Sequence, residues 1–340
     1  MSAAPLTLLA DLGGTNVRFA LSSGDVAQPL IADSVRRYKV SDFPSFTDAA
    51  RRYLSDIHAQ PSIAVFAVAG LVVGDDVRIT NVPWVISGQR VKSDLGLAAL
   101  HLINDFQAMS LSLPLLQAGK VLAIGDPPAP RLGAEAEQMF AIVGPGTGLG
   151  VGGLLVRHPH VYALNTEGGH MSFAPGNELE IEILRRLAAR FGRVSNERLL
   201  CGSGLVNLYR ALCDIEGVEA ALPSPEAITE SARNNASPQS VQAVDLFCEL
   251  LGAVAGDLVL GFGSWQGVYL TGGLTPLLLP WLQRGGFRER FQDKGRHSQA
   301  MHTVPTLAVL ETDAGLMGAA AAGIQANGGS LLVRREGVAV

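Results

Sequence analysis

A chain of 340 residues with 48% hydrophobic and 17% charged residues can build a large core, in two domains or one large one, and is too apolar to be disordered over most of its length. A formal net charge of -5, without a basic stripe interleaved with aromatics, argues against a nucleic-acid surface and points to small soluble partners. Cys201, Cys213 and Cys248 are too few and too scattered for a disulfide framework or a four-thiolate zinc site. With no signal-peptide pattern and no unbroken apolar run of about 20 residues, the expectation is a cytoplasmic chain with no membrane association.

The chain opens on Leu8-Leu9-Ala10-Asp11-Leu12-Gly13-Gly14-Thr15-Asn16-Val17-Arg18-Phe19-Ala20-Leu21. An apolar run ends in a carboxylate, turns through paired glycines, and resumes with Val17, Phe19 and Leu21 on one face. This reads as strand, phosphate-cradling turn and returning strand, because glycines let backbone N–H groups approach an anion. Asp11 is placed to hold a hydrated divalent cation. An ordinary hairpin with a favoured Gly-Gly pair would also explain the turn, but not the Asp, Thr and Asn crowded around it.

Phe43 to His58 has the apolar spacing of an amphipathic helix, and Ser62 to Gly70 is an apolar run suited to the buried centre of a sheet. Val77 to Asn81 forms a short strand, and Leu100 to Asp105 another, ending in polar residues where open α/β sheets place ligands. Phe106 to Gln117 continues as a helix broken near Pro114, and the proline-rich Gly125 to Gly133 is a surface loop. The first domain boundary falls before that loop, near Leu115. Met139 to Val143 then enters Gly144-Pro145-Gly146-Thr147-Gly148-Leu149-Gly150 and leaves through Val151 to Val156. The two glycine hairpins lie about 130 residues apart, each opening a similar run of elements, which suggests a duplication.

The second half is mainly helical. Asn177 caps a helix through Ile181 to Phe191, Ser195-Asn196-Glu197-Arg198 and Ser203-Gly204-Leu205 start two more, and Pro238 to Gly261 is a long one. Gly267 to Gly273 is a strand running into a third glycine turn, Thr306 to Leu310 a late strand, and Ala314 to Gln325 a small-residue helix fit for close packing. Gly148 to Gly153 matches G-x-G-x-x-G by letter, but apolar Leu154-Leu155-Val156 follows where a dinucleotide fold needs a helix start. Gly119-Lys120 lacks the rest of a Walker A loop.

Two glycine hairpins with Thr271-Gly272-Gly273 at a third strand end resemble the actin, heat-shock ATPase and sugar-kinase superfamily. Within it the chain closely resembles the bacterial glucokinases almost end to end. The resemblance is carried by Asp11 to Asn16 with Arg18, Ile103-Asn104-Asp105-Phe106, Gly144 to Gly150, Glu167-Gly168-Gly169-His170, Glu197 to Leu200, Gly204 to Tyr209, and Thr271 to Gly273. It implies an α/β, two-lobed actin-like (ribonuclease H-like) ATPase fold with a cleft between the lobes. One smaller lobe comprises 1–115 plus 312–340, and a larger one 116–311.

The resemblance further implies a glucokinase using ATP and Mg²⁺, acting on glucose, and assembled as a homodimer. Asp105 would be the general base, and Asn104, Glu167, His170 and Glu197 the sugar ligands, with Asn81 and Trp84 in a segment lining the sugar side. Asp11 would engage Mg²⁺ through water. Ala10, Leu12, Gly13, Gly14, Thr15 and Asn16 would meet the phosphates from one side, and Gly146, Thr147 and Gly148 from the other. Gly272 and Gly273 would lie beside the adenosine. From the residues alone, Asn104-Asp105 reads first as a turn or helix cap, Glu197 as a helix-terminus acid and His170 as a satisfied core histidine, while Arg18 is equally a solvated strand residue. The missing cysteine cluster after His170 departs from the zinc-binding relatives, so no structural zinc is expected. Another hexose as substrate, or a sugar-binding regulator without transfer, are the competing readings.

Overall fold

The computed structural model describes residues 6–73, 76–79 and 84–332. In chain order the strands of the first part are β1 (Thr7–Leu12), β2 (Asn16–Ser22), β3 (Arg36–Lys39), β4 (Ile63–Val68), β5 (Gly70–Val73), β6 (Asp76–Ile79), β7 (Val85–Ser87) and β8 (Ala99–Asn104). They form a five-stranded sheet of order β3-β2-β1-β4-β8 and a small meander, β5-β6-β7. In the larger sheet β1, β2 and β3 are antiparallel neighbours, whereas β4 and β8 run parallel to β1. Leu8, Leu9 and Ala10 of β1 and Ala64 to Val68 of β4 have no exposed surface, as the unbroken apolar runs require of strands covered on both faces.

The later strands are β9 (Val121–Ala123), β10 (Glu137–Pro145), β11 (Leu149–Arg157), β12 (His160–Asn165), β13 (Val268–Leu270) and β14 (Thr306–Val309). Their sheet has the order β12-β11-β10-β13-β14-β9. Again three antiparallel strands come first and two parallel strands follow, with β9 added antiparallel at the edge. The similarity between the two glycine hairpins therefore extends to the whole strand order. This is the repeated ribonuclease H-like sheet of the actin-like ATPase fold.

The helices that follow the last parallel strands are exchanged. Asp105–Ser112, leaving β8 of the first sheet, packs on β11 and β12 of the second, while Ala314–Ala326, following β14, packs on β1 and β4 of the first. The two helices touch each other, with Gly318 so close to the Ala108 carbonyl that any side-chain carbon would overlap it. The small-residue face read from the sequence is what allows this crossing. Leu9, Val65, Ala67, Ala108, Leu316 and Ala319 form the apolar cluster between the sheets.

The amphipathic helix is Phe46–Ile57, where the Ser45 hydroxyl oxygen accepts from the Asp48 amide and turns the chain into the helix. Trp84 is buried beside Phe46 in the first core, with ring centroids 6.3 Å apart. The other side of the second sheet is covered by Glu178–Phe191, Gly202–Glu216 and the long Pro238–Phe262. Ser195 to Arg198, expected to start a helix, makes only one 3-10 turn, Asn196–Arg198, because the main chain pairs with the segment after His170 instead: the Asn196 amide bonds the Met171 carbonyl at 2.9 Å. The helices Pro225–Arg233, Thr275–Leu282 and Gly286–Gln292 were not foreseen; the last starts at a glycine and has no side-chain cap. All three cysteines are buried and unpaired.

Candidate active site

The turn joining β1 to β2 is closed by the Gly13 amide on the Asn16 carbonyl, 3.0 Å. A Cβ at Gly14 would meet nothing within 4 Å, so the space above this turn is open. Thr15 and Asn16 are exposed at its tip. Ala10 and Leu12, grouped with the phosphate-binding residues above, turn their side chains into the core. The Leu12 carbonyl is already taken by the Ala69 amide at 3.0 Å. Their side chains therefore face away from the turn, as the strand's alternation requires, which leaves only their main chain on the side of a ligand there.

Asp11 keeps 23% of its side-chain surface exposed and lies 3.9 Å from Nη1 of Arg18. Arg18 also stands 3.8 Å from Asp313 and donates to the Thr312 carbonyl, so it is a clamp between the first hairpin and the Ala314–Ala326 helix rather than a solvated strand residue. Gly315 packs on the Asp11 carboxylate: a Cβ there would lie 2.7 Å from it. Withdrawal from water raises the Asp11 carboxyl, Arg18 opposes this, and Asp313 adds to it.

At the end of β8 the Asn104 side chain caps the helix, its Oδ1 accepting from the amides of Phe106 at 2.8 Å and Gln107 at 3.2 Å. The helix-cap reading of Asn104-Asp105 is thus correct, and the cap is what presents Asp105. The Asp105 carboxyl is pushed up to about 7, chiefly by burial and next by the Asp11 charge, with the Phe106 amide opposing and Glu167 adding to the rise. A carboxyl held near neutrality can take a proton at physiological pH. Phe106, the next residue, sits against Gly144 and Gly150 of the second hairpin, where any Cβ at Gly150 would overlap its ring.

The β10–β11 turn is more crowded. Gly146 donates to the Gly148 carbonyl at 2.8 Å, and its own carbonyl accepts from Gly202 at 2.9 Å. Thr147 is exposed at the tip. Glu197 Oε2 accepts from the Leu149 amide at 3.0 Å, while Oε1 is 4.0 Å from Nε2 of His170. His170 is 56% exposed, which removes the core-histidine reading. Its carbonyl is held by Arg193 at 2.7 Å, and Glu167 is exposed at the start of the same turn. Gly272 adopts φ 82 and packs on the Pro145 carbonyl, so only glycine fits, and Gly273 beside it is open.

A family model described as Glucokinase matches residues 8–326. The chain belongs to the glucokinase family. A relative named glucokinase from Stenotrophomonas maltophilia (strain R551-3) is 52% identical over 314 residues, 92% of this chain and 93% of that one. The crystal structure of glucokinase from an Antarctic psychrotroph, 32% identical, superposes with a TM-score of 0.82 over 94% of this chain and 98% of that one. A ROK family glucokinase from Streptomyces griseus, in complex with glucose and AMPPNP, shares the fold at 19% identity and TM-score 0.61, over 93% and 98% of the two chains.

Glucokinase-family motifs at Asp11 and Glu167 both lie within electrostatic reach of Asp105, and those at His170, Glu197 and Gly148 converge on the second hairpin. Asn81 lies outside the described residues. Sequence reasoning overlooked Asp313, Gly315 and the packing of Phe106. Asp313 preceding a small-residue helix was a legible helix start, but its proximity to Arg18 depends on residues almost a full chain length apart.

Proposed function

We propose that the chain transfers the γ-phosphoryl group of ATP to the 6-hydroxyl of glucose, giving glucose 6-phosphate and ADP, with Asp105 as the general base. The observation that carries this is Asp105 itself: a carboxyl presented by a capped helix start, pushed up to about 7, between the charges of Asp11 and Glu167. Asp105 accepts the proton of the 6-hydroxyl as that oxygen bonds to the γ-phosphorus, and the bond from that phosphorus to the β,γ-bridging oxygen breaks. Asn104, with Oδ1 committed to the cap and one Nδ2 hydrogen directed at the Gly70 carbonyl at 3.4 Å, offers its second amide hydrogen to a neighbouring hydroxyl. Glu167, Glu197 and His170 hold the ring; Asn81 is kept as a sugar ligand on the family resemblance alone.

The open glycines Gly14 and Gly273 leave room for phosphates to approach main-chain amides, and Gly13, its own amide on the Asn16 carbonyl, holds the first turn in shape. Among the described residues no group of three or more His, Cys, Asp or Glu is arranged as a metal cage. One partly open carboxylate, Asp11, fits a Mg²⁺ that arrives hydrated on ATP. When bound, Mg²⁺ supplies charge neutralisation for the phosphates. Thr15 and Asn16 cradle them from the first hairpin, with Gly146, Thr147 and Gly148 opposite, and Gly272 and Gly273 beside the adenosine. Two lobes, 1–115 plus 312–340 and 116–311, close over the sugar and exclude water. The protein works as a cytoplasmic homodimer, a reading that rests on composition and family resemblance; no described helix is long and apolar enough to cross a membrane.

ADP release with glucose and Mg-ATP tests the proposal. Wild type should turn over only with a hexose present, ranking glucose first in a hexose panel by kcat/KM, and Asp105→Ala should lose about 10³-fold in kcat. Near-normal turnover in that variant, or none in the wild type, would reject it.

A further inference from the structure

We propose that the Leu149 main chain couples the sugar pocket to the second phosphate turn, so that a bound hexose, before any nucleotide arrives, stiffens that turn and raises its affinity for phosphate. The inference rests on the functional reading above. Leu149 is gripped from two sides by the segments assigned to the sugar. Its amide donates to Glu197 Oε2 at 3.0 Å. Its carbonyl lies against Gly169 so closely that any Cβ at that position would overlap the oxygen. Gly168 packs likewise on Val151, two residues further along the strand, where a Cβ would lie 2.7 Å from the valine side chain.

The sugar segments are themselves tied together. Ser172 pairs with Ser195, the Asn196 amide bonds the Met171 carbonyl at 2.9 Å, and the Phe173 amide bonds the Val194 carbonyl at 3.1 Å. Residues 168–173 and 194–197 therefore move with Leu149 or not at all. Glu197 divides its carboxylate, with Oε2 on the phosphate turn and Oε1 facing His170 at 4.0 Å. A hexose that hydrogen-bonds Glu197 and His170 fixes the carboxylate, and a fixed carboxylate fixes the Leu149 amide. By linkage, the factor by which sugar improves nucleotide binding is the factor by which nucleotide improves sugar binding.

The geometry supplies an unusual test, because a change in the phosphate turn should damage sugar binding. A Cβ at Gly148 would lie 2.5 Å from Glu197 Oε2. The carboxylate, as the free end of a flexible side chain, would be the part displaced. Gly146, two residues earlier in the same turn, has room: its Cβ would come no nearer than 3.8 Å to the Gly273 amide. In calorimetric titration with glucose alone, G148A should weaken Kd on the order of tenfold, the loss of one charge-assisted hydrogen bond, with G146A within about twofold of wild type. Equal glucose affinity in G148A and wild type overturns the coupling. A wild type that binds no glucose instead rejects the functional reading on which it rests.

Hydrogen exchange on the unaltered chain keeps the question open to test if G148A does not fold. With saturating glucose and no nucleotide, the peptide containing the Leu149 amide should exchange more slowly. Protection confined to the peptides of 167–170 and 197 overturns the proposal.

Discussion

The two glycine hairpins occupy the same place in two sheets of the same order, yet one is open and charged and the other closed and neutral. The β1–β2 turn has free space over Gly14 and carries Asp11, clamped by Arg18. Around the β10–β11 turn, Gly144, Gly148, Gly150 and Gly152 are pressed by Phe106, Thr271, Glu197 and Ser110. Equal topology has been put to unequal use. In the proposed reaction the first hairpin is where Mg-ATP would enter, while the second is the frame on which the Asp105–Ser112 helix, through Phe106, and the Glu197 carboxylate lean.

The contrast breaks most severely at Gly150. Gly150→Ala should drive the Phe106 ring out of its seat, costing about 1–3 kcal/mol in stability by overpacking and, through the adjacent Asp105, about 10²-fold in kcat. Thermal melts and steady-state kinetics measure both. If instead the variant keeps its kcat, Phe106 does not link the base to the second hairpin.

Asp11→Asn should raise the KM for Mg-ATP by about tenfold to hundredfold while leaving glucose Kd within about twofold, the opposite pattern to a lesion at Gly148. Loss of glucose affinity in Asp11→Asn would erase the division of labour between the hairpins.

The Asp105 carboxyl reports on both sides. Since the base must be ionised, kcat/KM for glucose should fall about tenfold per pH unit below about 7. Asp11 raises this carboxyl more than Glu167 does, so the acid limb should move further to lower pH in Asp11→Asn than in Glu167→Gln. The same shift governs stability. The folded chain holds this proton more tightly than the unfolded chain does, so the contribution is fully present below the ordinary carboxyl range and is lost as pH rises through about 7. Asp105→Asn should therefore raise Tm at pH 8 relative to wild type while removing turnover.

The smallest effect belongs to Gly14→Ala. With nothing within 4 Å of the new methyl group, stability should stay within about 0.5 kcal/mol of wild type, and only nucleotide affinity should change.

What the sequence determined by itself was local. Apolar runs marked the buried strands, paired glycines the two turns, and Asn177 a helix start, because each depends on residues within a few positions of one another. The motifs also sufficed to indicate the family and the residues worth watching. The tertiary structure decided which of them meet. Arg18 reaches Thr312 and Asp313, Gly315 backs Asp11, Phe106 fills the space left by Gly150, and Glu197 bonds Leu149. Each of these contacts joins segments far apart in the chain, brought together by two exchanged helices packed between sheets. No local pattern encodes which glycine leaves room for which side chain across that interface; it is settled only when the two sheets close on their shared core.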